Sequence, residues 1–181
     1  MLKPYYNEDS DFILYNGDCA EVMKGLDKCT VDLIFADPPY FLSSGKTVRY
    51  NDNEKTIYKG AWDETKSLDE INAFNRRWLS ACREVMKNGA TIFATGTYHN
   101  IFSIASCMME MGFKILNIIV WQKTDAKPTL SRNYFNFTTE YIVWARKNDK
   151  GKHLFNCDLM EQLNGGCRMS DVWRIPFLSS W

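Results

Sequence analysis

The chain has 181 residues, and its 22 Lys and Arg balance 22 Asp and Glu, so the formal net charge is zero. Hydrophobic residues make up 45% and charged residues 24% of the chain, a composition typical of one globular domain and not of a disordered segment. The neutral balance excludes a histone-like protein or a basic tail, although a local basic patch can still bind nucleic acid.

Apolar runs and cysteine spacing exclude two further classes of protein. No apolar run reaches the roughly 18 residues of a membrane-spanning helix, and the N-terminus has no apolar stretch of the kind found in secretory signals. The six cysteines include no Cys-x-x-Cys pair, which favours reduced thiols over disulfides or a zinc site. We therefore expect no membrane segment, no metal and a cytoplasmic location.

Alternating strands and helices are predicted along most of the chain. Five apolar runs predict strands, over 12–15, 31–36, 90–95, 115–121 and 139–145. Apolar residues at helical spacing predict helices over 18–26, 67–89 and 101–112. This alternation is typical of an α/β fold with a parallel, doubly wound sheet.

Helix caps and two polar segments complete the predicted organisation. Asp18 and Ser67 predict helix N-caps, each with a glutamate three residues later, and Asn88-Gly89 predicts the end of the second helix. Residues 41–66 are polar and predict one long mobile loop, which in a compact domain is often functional. Residues 148–181 show only weak periodicity and predict a separate tail segment.

The tetrapeptide Asp37-Pro38-Pro39-Tyr40 directly follows the apolar run 31–36, at a strand end where open α/β sheets bind ligands. An exocyclic base amine is a poor nucleophile because its lone pair is delocalised into the ring. The Asp37 carboxylate and the Pro38 carbonyl are candidate acceptors that would draw the amine hydrogens out of the ring plane, and the fixed proline φ angles limit where that carbonyl points. The Tyr40 ring would stack on an unstacked base. The alternative is a plain Asp-Pro turn after a strand.

Residues 121–152 are locally basic, with seven cationic and three acidic side chains and several aromatics among them. Phosphate contact combined with base stacking is one interpretation, and a solvated surface is the other. The candidate DNA-binding residues are Lys123, Lys127, Arg132, Asn133 and Tyr134.

Leu33-Ile-Phe-Ala-Asp-Pro-Pro-Tyr-Phe-Leu42 resembles the catalytic motif of DNA amino-methyltransferases, and its Asp form is usual in adenine-N6 enzymes. Gly17-Asp18-Cys19, Trp62-Asp63 and the segment 139–147 also resemble segments of that family. The early position of the catalytic motif matches the β class. The closest likeness is to GATC-methylating enzymes of bacterial or phage restriction–modification systems.

The resemblance implies a Rossmann-like, S-adenosylmethionine-dependent methyltransferase fold and methyl transfer to adenine N6 in DNA. It implies a catalytic core over 1–147 and part of a target-recognition segment over 148–181. The implied catalytic residues are Asp37, Pro38, Pro39 and Tyr40, and the implied cofactor contacts are Asp18, Cys19 and Asp37. The alternatives are methylation of cytosine N4 or of RNA, and a non-catalytic DNA-binding fragment.

One expected element is not found. The β class carries a Phe-x-Gly-x-Gly cofactor loop late in the chain, whereas these 181 residues contain no Gly-x-Gly. We therefore expect a fold that lacks its C-terminal cofactor-loop segment and binds the cofactor weakly. An uncovered strand edge with exposed apolar side chains is also expected, and such an edge favours pairing with a second chain, as in a homodimer.

Overall fold

The structure, a computed structural model, describes residues 3–8, 11–43, 60–126, 128 and 133–176, together with the backbone of 47–50 and 53–56. The described elements are, in chain order, α1 (Cys19–Met23), β1 (Val31–Ala36), β2 (Thr47–Tyr50), β3 (Asn53–Thr56), a 3₁₀ helix (Ala61–Asp63), α2 (Leu68–Val85), β4 (Met86–Gly96), α3 (Ile101–Glu110), β5 (Lys114–Lys123), β6 (Thr139–Arg146), α4 (Cys157–Leu163) and β7 (Val172–Ile175). None of these helices is long and apolar enough to cross a membrane.

Five strands form one sheet in the order β1-β4-β6-β5-β7. The pairs β1/β4 and β5/β7 are parallel, whereas β6 runs antiparallel to both of its neighbours. The α/β prediction is therefore confirmed, but the prediction of a parallel sheet is wrong. The physical reason is the connection between β5 and β6, which contains no described helix and so lets the chain reverse direction without the crossover that parallel strands need.

Helices α2 and α3 pack on one face of this sheet and form the core. The fully buried side chains come from both helices and from the two central strands: Leu79, Ile92, Ile104, Met108 and Val143. Burial of each such side chain contributes about 1.5–3 kcal/mol. The predicted Ser67–Glu70 capping box is confirmed, with both reciprocal hydrogen bonds present at the start of α2. The core thus fixes the positions of β1 and β4, whose ends carry the candidate site.

Strand β1 lies at one end of the sheet and leaves apolar side chains uncovered. Leu33 is 57% exposed and Phe35 is 68% exposed, whereas Ile34 packs against the core. Among the described residues, only one side of β1 has a strand partner. The expected uncovered edges and apolar side chains are therefore present: β1 and β7 are the edge strands of the described sheet, and Leu33 and Phe35 are exposed on a face of β1.

One predicted strand and one predicted helix end are wrong. The run 12–15 forms no strand, since Leu14 makes only an isolated bridge with Tyr6. Asn88-Gly89 does not end α2, because β4 begins at the fully buried Met86 immediately after the helix. Gly89 is instead a strand residue at φ 87°, and a Cβ there would lie 2.6 Å from the carbonyl oxygen of Lys152. Close backbone packing, and not a helix cap, explains this glycine.

The two polar segments contain more regular structure than their sequences indicate. Residues 41–66, predicted as one loop, contain the antiparallel hairpin β2–β3 and a 3₁₀ helix. The tail contributes β7, which pairs in parallel with β5 and so joins the main sheet. In both segments the strands are four residues long, too short for a periodic pattern to appear in the sequence.

Candidate active site

Parallel pairing of β1 and β4 places two polar side chains at the same strand ends. Ala36 of β1 pairs with Ala94 of β4. The next residues along the two strands, Asp37 and Thr95, are therefore neighbours at the carboxyl edge of the sheet. The sequence prediction that Asp37 directly follows a strand is confirmed.

The Asp37 carboxylate is held by one of its oxygens. Its Oδ1 accepts a 2.9 Å hydrogen bond from the Tyr40 hydroxyl and a short hydrogen bond from Thr95 Oγ1. Its Oδ2 accepts no hydrogen bond from the described residues, and the side chain is exposed. Two donors on one oxygen fix the orientation of the carboxylate and leave the other oxygen available to a ligand.

Tyr40 is half-buried, and its hydroxyl serves as a hydrogen-bond donor. Burial raises the pKa of Tyr40 well above its ordinary value, and the negative charges of Asp37 and Glu140 add to this effect. The phenol therefore keeps its proton at neutral pH and donates to Asp37. Glu140 lies near this end of the sheet, because it directly precedes Tyr141, which pairs with Gly96 next to Thr95.

A buried carboxylate holds the backbone that follows the two prolines. Asp63 is 1% exposed, and its Oδ1 accepts from the backbone N–H groups of Tyr40 at 3.0 Å and Phe41 at 2.8 Å. Its Oδ2 accepts from Ser43 Oγ at 3.0 Å. Phe41 has φ 57°, in the left-handed region that non-glycine residues seldom adopt. Asp63 therefore stabilises a backbone conformation that Phe41 by itself disfavours.

A buried asparagine holds the same turn from the other side. Asn100 is fully buried, and its Nδ2 donates to the Pro39 carbonyl at 2.8 Å. Its Oδ1 accepts from Asn75 Nδ2 at 2.7 Å, and Asn75 in turn accepts from Trp78 Nε1 and donates to Ser103 Oγ. This network anchors the turn in the interface between α2 and α3.

Several of these residues were not singled out in the sequence. Thr95 was assigned only to a strand, although parallel pairing with the strand before Asp37 would have indicated it. Asn75 lies on the apolar face of α2, between Ile71 and Leu79, and a polar residue on a buried face is a usable signal. Asn100 precedes α3 and lies on no predicted apolar face, so no comparable signal in the sequence marks it. Asp63 was named only as part of the Trp62-Asp63 pair, which resembles a segment of the methyltransferase family.

Asp18 lies in an ion pair as well as at a helix N-cap. It accepts from Glu21 N–H at 3.1 Å, which confirms the predicted cap, and from Arg77 at 2.8 and 2.9 Å. The hydrogen bonds from Arg77 lower the pKa of Asp18. Cys19 is the first residue of α1, and desolvation together with the Asp18 charge raises its pKa. Cofactor contact by Asp18 and Cys19 stays a prediction.

The candidate DNA-binding residues differ in their surroundings. Lys123 forms a short ion pair with Glu140, and the two side chains are 17% and 16% exposed. Asn133 and Tyr134 are exposed, with Tyr134 at 53%. Lys127 and Arg132 lie outside the described residues. Glu140 precedes Tyr141, the partner of Gly96 in β4, so this ion pair lies at the same end of the sheet as Thr95. Contact of Lys123 with DNA stays a prediction.

Four rings form an aromatic cluster, defined as Tyr98, His99, Tyr134 and Phe137. Tyr98 stacks on Phe137 at 5.3 Å and lies 3.8 Å from the His99 ring, and Tyr134 lies 5.4 Å from Phe137. Tyr98 follows β4, so the cluster lies at the same end of the sheet as Asp37. Phe135, between two of its members in sequence, is 96% exposed.

Comparison with known proteins shows the family. The model of the N6_N4_Mtase family, described as DNA methylase, matches residues 31–181. The chain is 41% identical to Type II methyltransferase M2.MboI of Moraxella bovis, covering 99% of this chain and 66% of that protein. It is 45% identical to Type II methyltransferase M2.DpnII of Streptococcus pneumoniae, covering 96% and 65%. The chain thus spans slightly less than two thirds of the length of these relatives.

Solved structures show the same fold at low sequence identity. The cytosine-N4-specific PvuII DNA methyltransferase aligns with a TM-score of 0.73 at 14% identity, over 99% of this chain and 62% of that one. The M1.HpyAVI–SAM complex aligns with a TM-score of 0.53 at 22% identity, over 78% and 55%. These likenesses confirm the Rossmann-like methyltransferase fold. The family match, which covers most of the chain and includes the Asp37–Tyr40 turn, shows that the chain belongs to the N6_N4_Mtase family of DNA methylases.

Proposed function

We propose that this chain is the catalytic part of a DNA methyltransferase that transfers a methyl group from S-adenosylmethionine to adenine N6. One observation carries the proposal: the exposed Asp37 Oδ2 is left open at a strand end, while Thr95 and the Tyr40 hydroxyl hold Oδ1. The 41–45% identity to two Type II methyltransferases supports it, and the sequence likeness favours a GATC target in restriction–modification.

The chemistry follows from two acceptors and a ring. Asp37 Oδ2 and the Pro38 carbonyl accept no hydrogen bonds from the described residues, so both are available to the two hydrogens of an adenine amine. Drawing those hydrogens out of the ring plane localises the nitrogen lone pair, and the oxygens stabilise the positive charge that develops on nitrogen. The half-buried Tyr40 ring supplies a stacking face for a base that has left the duplex.

Two carboxylates, Asp37 and Asp18, suit contacts with the proposed cofactor. S-adenosylmethionine supplies an electrophilic methyl group on a positively charged sulfonium, and an exposed carboxylate such as Asp37 complements that charge. Asp18 has used three of its approximately four acceptor positions, on Glu21 N–H and Arg77, and retains one on Oδ2. Asp18 would therefore hold a hydroxyl or amine of the cofactor without losing its ion pair.

DNA is the proposed substrate, and the aromatic cluster at the same end of the sheet as Asp37 supports this. The exposed Tyr134, together with the neighbouring Phe135, offers ring faces to unstacked bases. Lys123, Lys127 and Arg132 are proposed to contact phosphates, and Asn133 a base edge. The domain division that accompanies this proposal places catalysis in 1–147 and part of target recognition in 148–181.

A homodimer is a further proposal about partners. The unpaired edge of β1, together with the uncovered Leu33 and Phe35 on the sheet face beside it, supports association with a second copy. Sedimentation of the full chain tests this, with Phe35→Lys as the variant that should lower the dimer fraction. A monomer at all concentrations would contradict it.

The experiment for the proposed function identifies the methylated nucleoside. The full chain is incubated with radiolabelled S-adenosylmethionine and duplexes that contain GATC, a scrambled site, or GATC already carrying N6-methyladenine, and the DNA is digested to nucleosides. Label in N6-methyladenine from the GATC duplex alone is expected, and Asp37→Ala should abolish it. Label in N4-methylcytosine, or in an RNA of the same sequence incubated in parallel, would select an alternative substrate. DNA binding without any label would indicate the non-catalytic alternative.

A further inference from the structure

We propose that Asp63 and Asn100 form a positioning pair that clamps the peptide unit between Pro39 and Tyr40. Through this unit the pair sets the positions of the Pro38 carbonyl and the Tyr40 ring. The inference rests on the proposed function. It gives a positioning role to two buried residues that would contact neither the reacting base nor the cofactor.

The two contacts fall on opposite ends of one rigid group. In a trans peptide unit the C=O and N–H lie in one plane and point in opposite directions. Asn100 Nδ2 donates to the Pro39 carbonyl at 2.8 Å, and Asp63 Oδ1 accepts from the Tyr40 N–H at 3.0 Å. A plane that is held at both ends cannot rotate about the chain axis.

Holding this plane fixes both predicted substrate contacts. Rotation of the plane would change ψ of Pro39 and φ of Tyr40 together. The pyrrolidine ring already fixes φ of Pro39, so the clamp removes the remaining freedom between this plane and the Pro38 carbonyl. On the other side, φ of Tyr40 determines where its ring stands relative to Asp37. One clamp therefore positions an acceptor and a stacking face at once.

Burial makes both contacts stiff. Asp63 is 1% exposed and Asn100 is fully buried, so water does not compete for either hydrogen bond. Asn100 is itself held by Asn75. Asp63 also accepts from the N–H of Phe41, the residue with a left-handed φ of 57°, so one carboxylate oxygen holds two successive amides.

The test compares variants that break the clamp with matched variants that leave it intact. Asp63→Ala and Asn100→Ala each remove one end. Ser43→Ala removes the bond to Asp63 Oδ2 and keeps the amide contacts, and Asn72→Ala removes the acceptor of Ser103 Oγ in the network behind Asn100. Asp63→Asn keeps one carbonyl oxygen for the two N–H groups and is the conservative rescue. Near-UV circular dichroism of the full chain checks that each variant is folded.

Two readouts separate positioning from stability. Since a misplacement of about 1 Å can cost on the order of 100-fold in rate, we expect each clamp variant to lower kcat at least tenfold with KM for DNA nearly unchanged. Ser43→Ala and Asn72→Ala should retain kcat, and Asp63→Asn should recover most of it. The Asp63→Ala/Asn100→Ala double variant should be no slower than the slower single variant, because both act on one plane.

Amide hydrogen exchange provides a readout that does not depend on activity. In the wild-type chain the Tyr40 amide should exchange slowly, and Asn100→Ala, which leaves Asp63 in place, should accelerate it. A fast wild-type Tyr40 amide, unchanged kcat in both clamp variants, or equal kcat losses in the Ser43→Ala control would overturn the proposal. A protected Tyr40 amide that Asn100→Ala releases, in a chain that methylates no base, would support the clamp and refute the proposed function instead.

Discussion

The turn at residues 37–41 and the aromatic cluster lie at the same end of the sheet, but the protein holds them differently. In the turn, Asp63 and Asn100 bind successive backbone groups, and both anchors are almost completely buried. In the cluster, the rings of Tyr98, Tyr134 and Phe137 contact one another and remain about half exposed.

This difference follows from what each region is proposed to do. Atoms that stabilise charge on a reacting nitrogen must be in place before the reaction, so they need rigid support. A surface that meets a nucleic acid of variable shape benefits from rings that can adjust. Stacking tolerates such adjustment, because every base presents a π-face. The largest mutational effects should therefore lie in the turn, and smaller ones in the cluster and at the periphery.

Removing the Asp37 carboxylate should have the largest effect. Loss of one preorganised group in comparable electrostatic sites costs about 3–4 kcal/mol, so we expect Asp37→Ala to lower kcat by at least two orders of magnitude. Asp37 is exposed, so the melting temperature should change little. Methylation kinetics measure the change in kcat, and a thermal melt measures the melting temperature. A folded Asp37→Ala variant with near-normal turnover would show that this carboxylate is not an acceptor.

Tyr40 separates the contribution of the ring from that of the hydroxyl. Base stacking on an aromatic side chain is worth about 1–3 kcal/mol, so Tyr40→Ala should be severely impaired. Tyr40→Phe keeps the ring, and Thr95 still holds Asp37 Oδ1, so its loss should be mild. The rates of the two variants are compared under single-turnover conditions. Equal losses would assign the role to the hydroxyl.

The Tyr40 hydroxyl should also make stability depend on pH in alkaline solution. Its folded pKa is raised, so the stabilisation is complete below the ordinary value of 10.0 and decreases as pH rises above it. We expect the denaturation midpoint of the wild type to fall above pH 10 more steeply than that of Tyr40→Phe. If the denaturation midpoints of the wild type and Tyr40→Phe fell in parallel above pH 10, the raised pKa of Tyr40 would be contradicted.

Thr95→Val tests the support of the carboxylate with a nearly isosteric change. The variant removes one of two donors to Asp37 Oδ1 and leaves the Tyr40 hydroxyl in place. A hydrogen bond to a charged group contributes about 1.5–3 kcal/mol, so a tenfold decrease in kcat is expected, without a change in DNA affinity. A decrease confined to DNA affinity would place Thr95 in binding instead.

Phe135 tests the exposed surface. Its side chain is 96% exposed, so Phe135→Ala should leave stability unchanged and weaken DNA binding by up to about 1–3 kcal/mol. Leu154→Ala is the matched control, since Leu154 is 95% exposed and belongs to neither the turn nor the cluster. Fluorescence anisotropy with a labelled duplex measures both. The same affinity for both variants would remove Phe135 from the proposed DNA surface.

The sequence alone determined the family of this protein and the chemistry proposed for it. Asp37-Pro38-Pro39-Tyr40 after an apolar strand is a local pattern, and the strand end, the Asp18 cap and the Ser67 capping box depend on residues only a few positions apart. Such features are encoded by neighbouring side chains, so the family could be inferred, and the acceptor pair proposed, before any tertiary contact was known.

Tertiary structure decided what holds that chemistry in place. Thr95, Asp63 and Asn100 are 58, 26 and 63 residues from Asp37 in sequence, and no local pattern links them to it. Strand pairing brings Thr95 to Asp37, and the packing of α2, α3 and the 3₁₀ helix brings the other two to the turn. The direction of β6 was likewise settled only in the folded chain, where the connection from β5 reverses the chain. Hydrophobic periodicity records which side of an element is buried, but it does not record which element lies opposite.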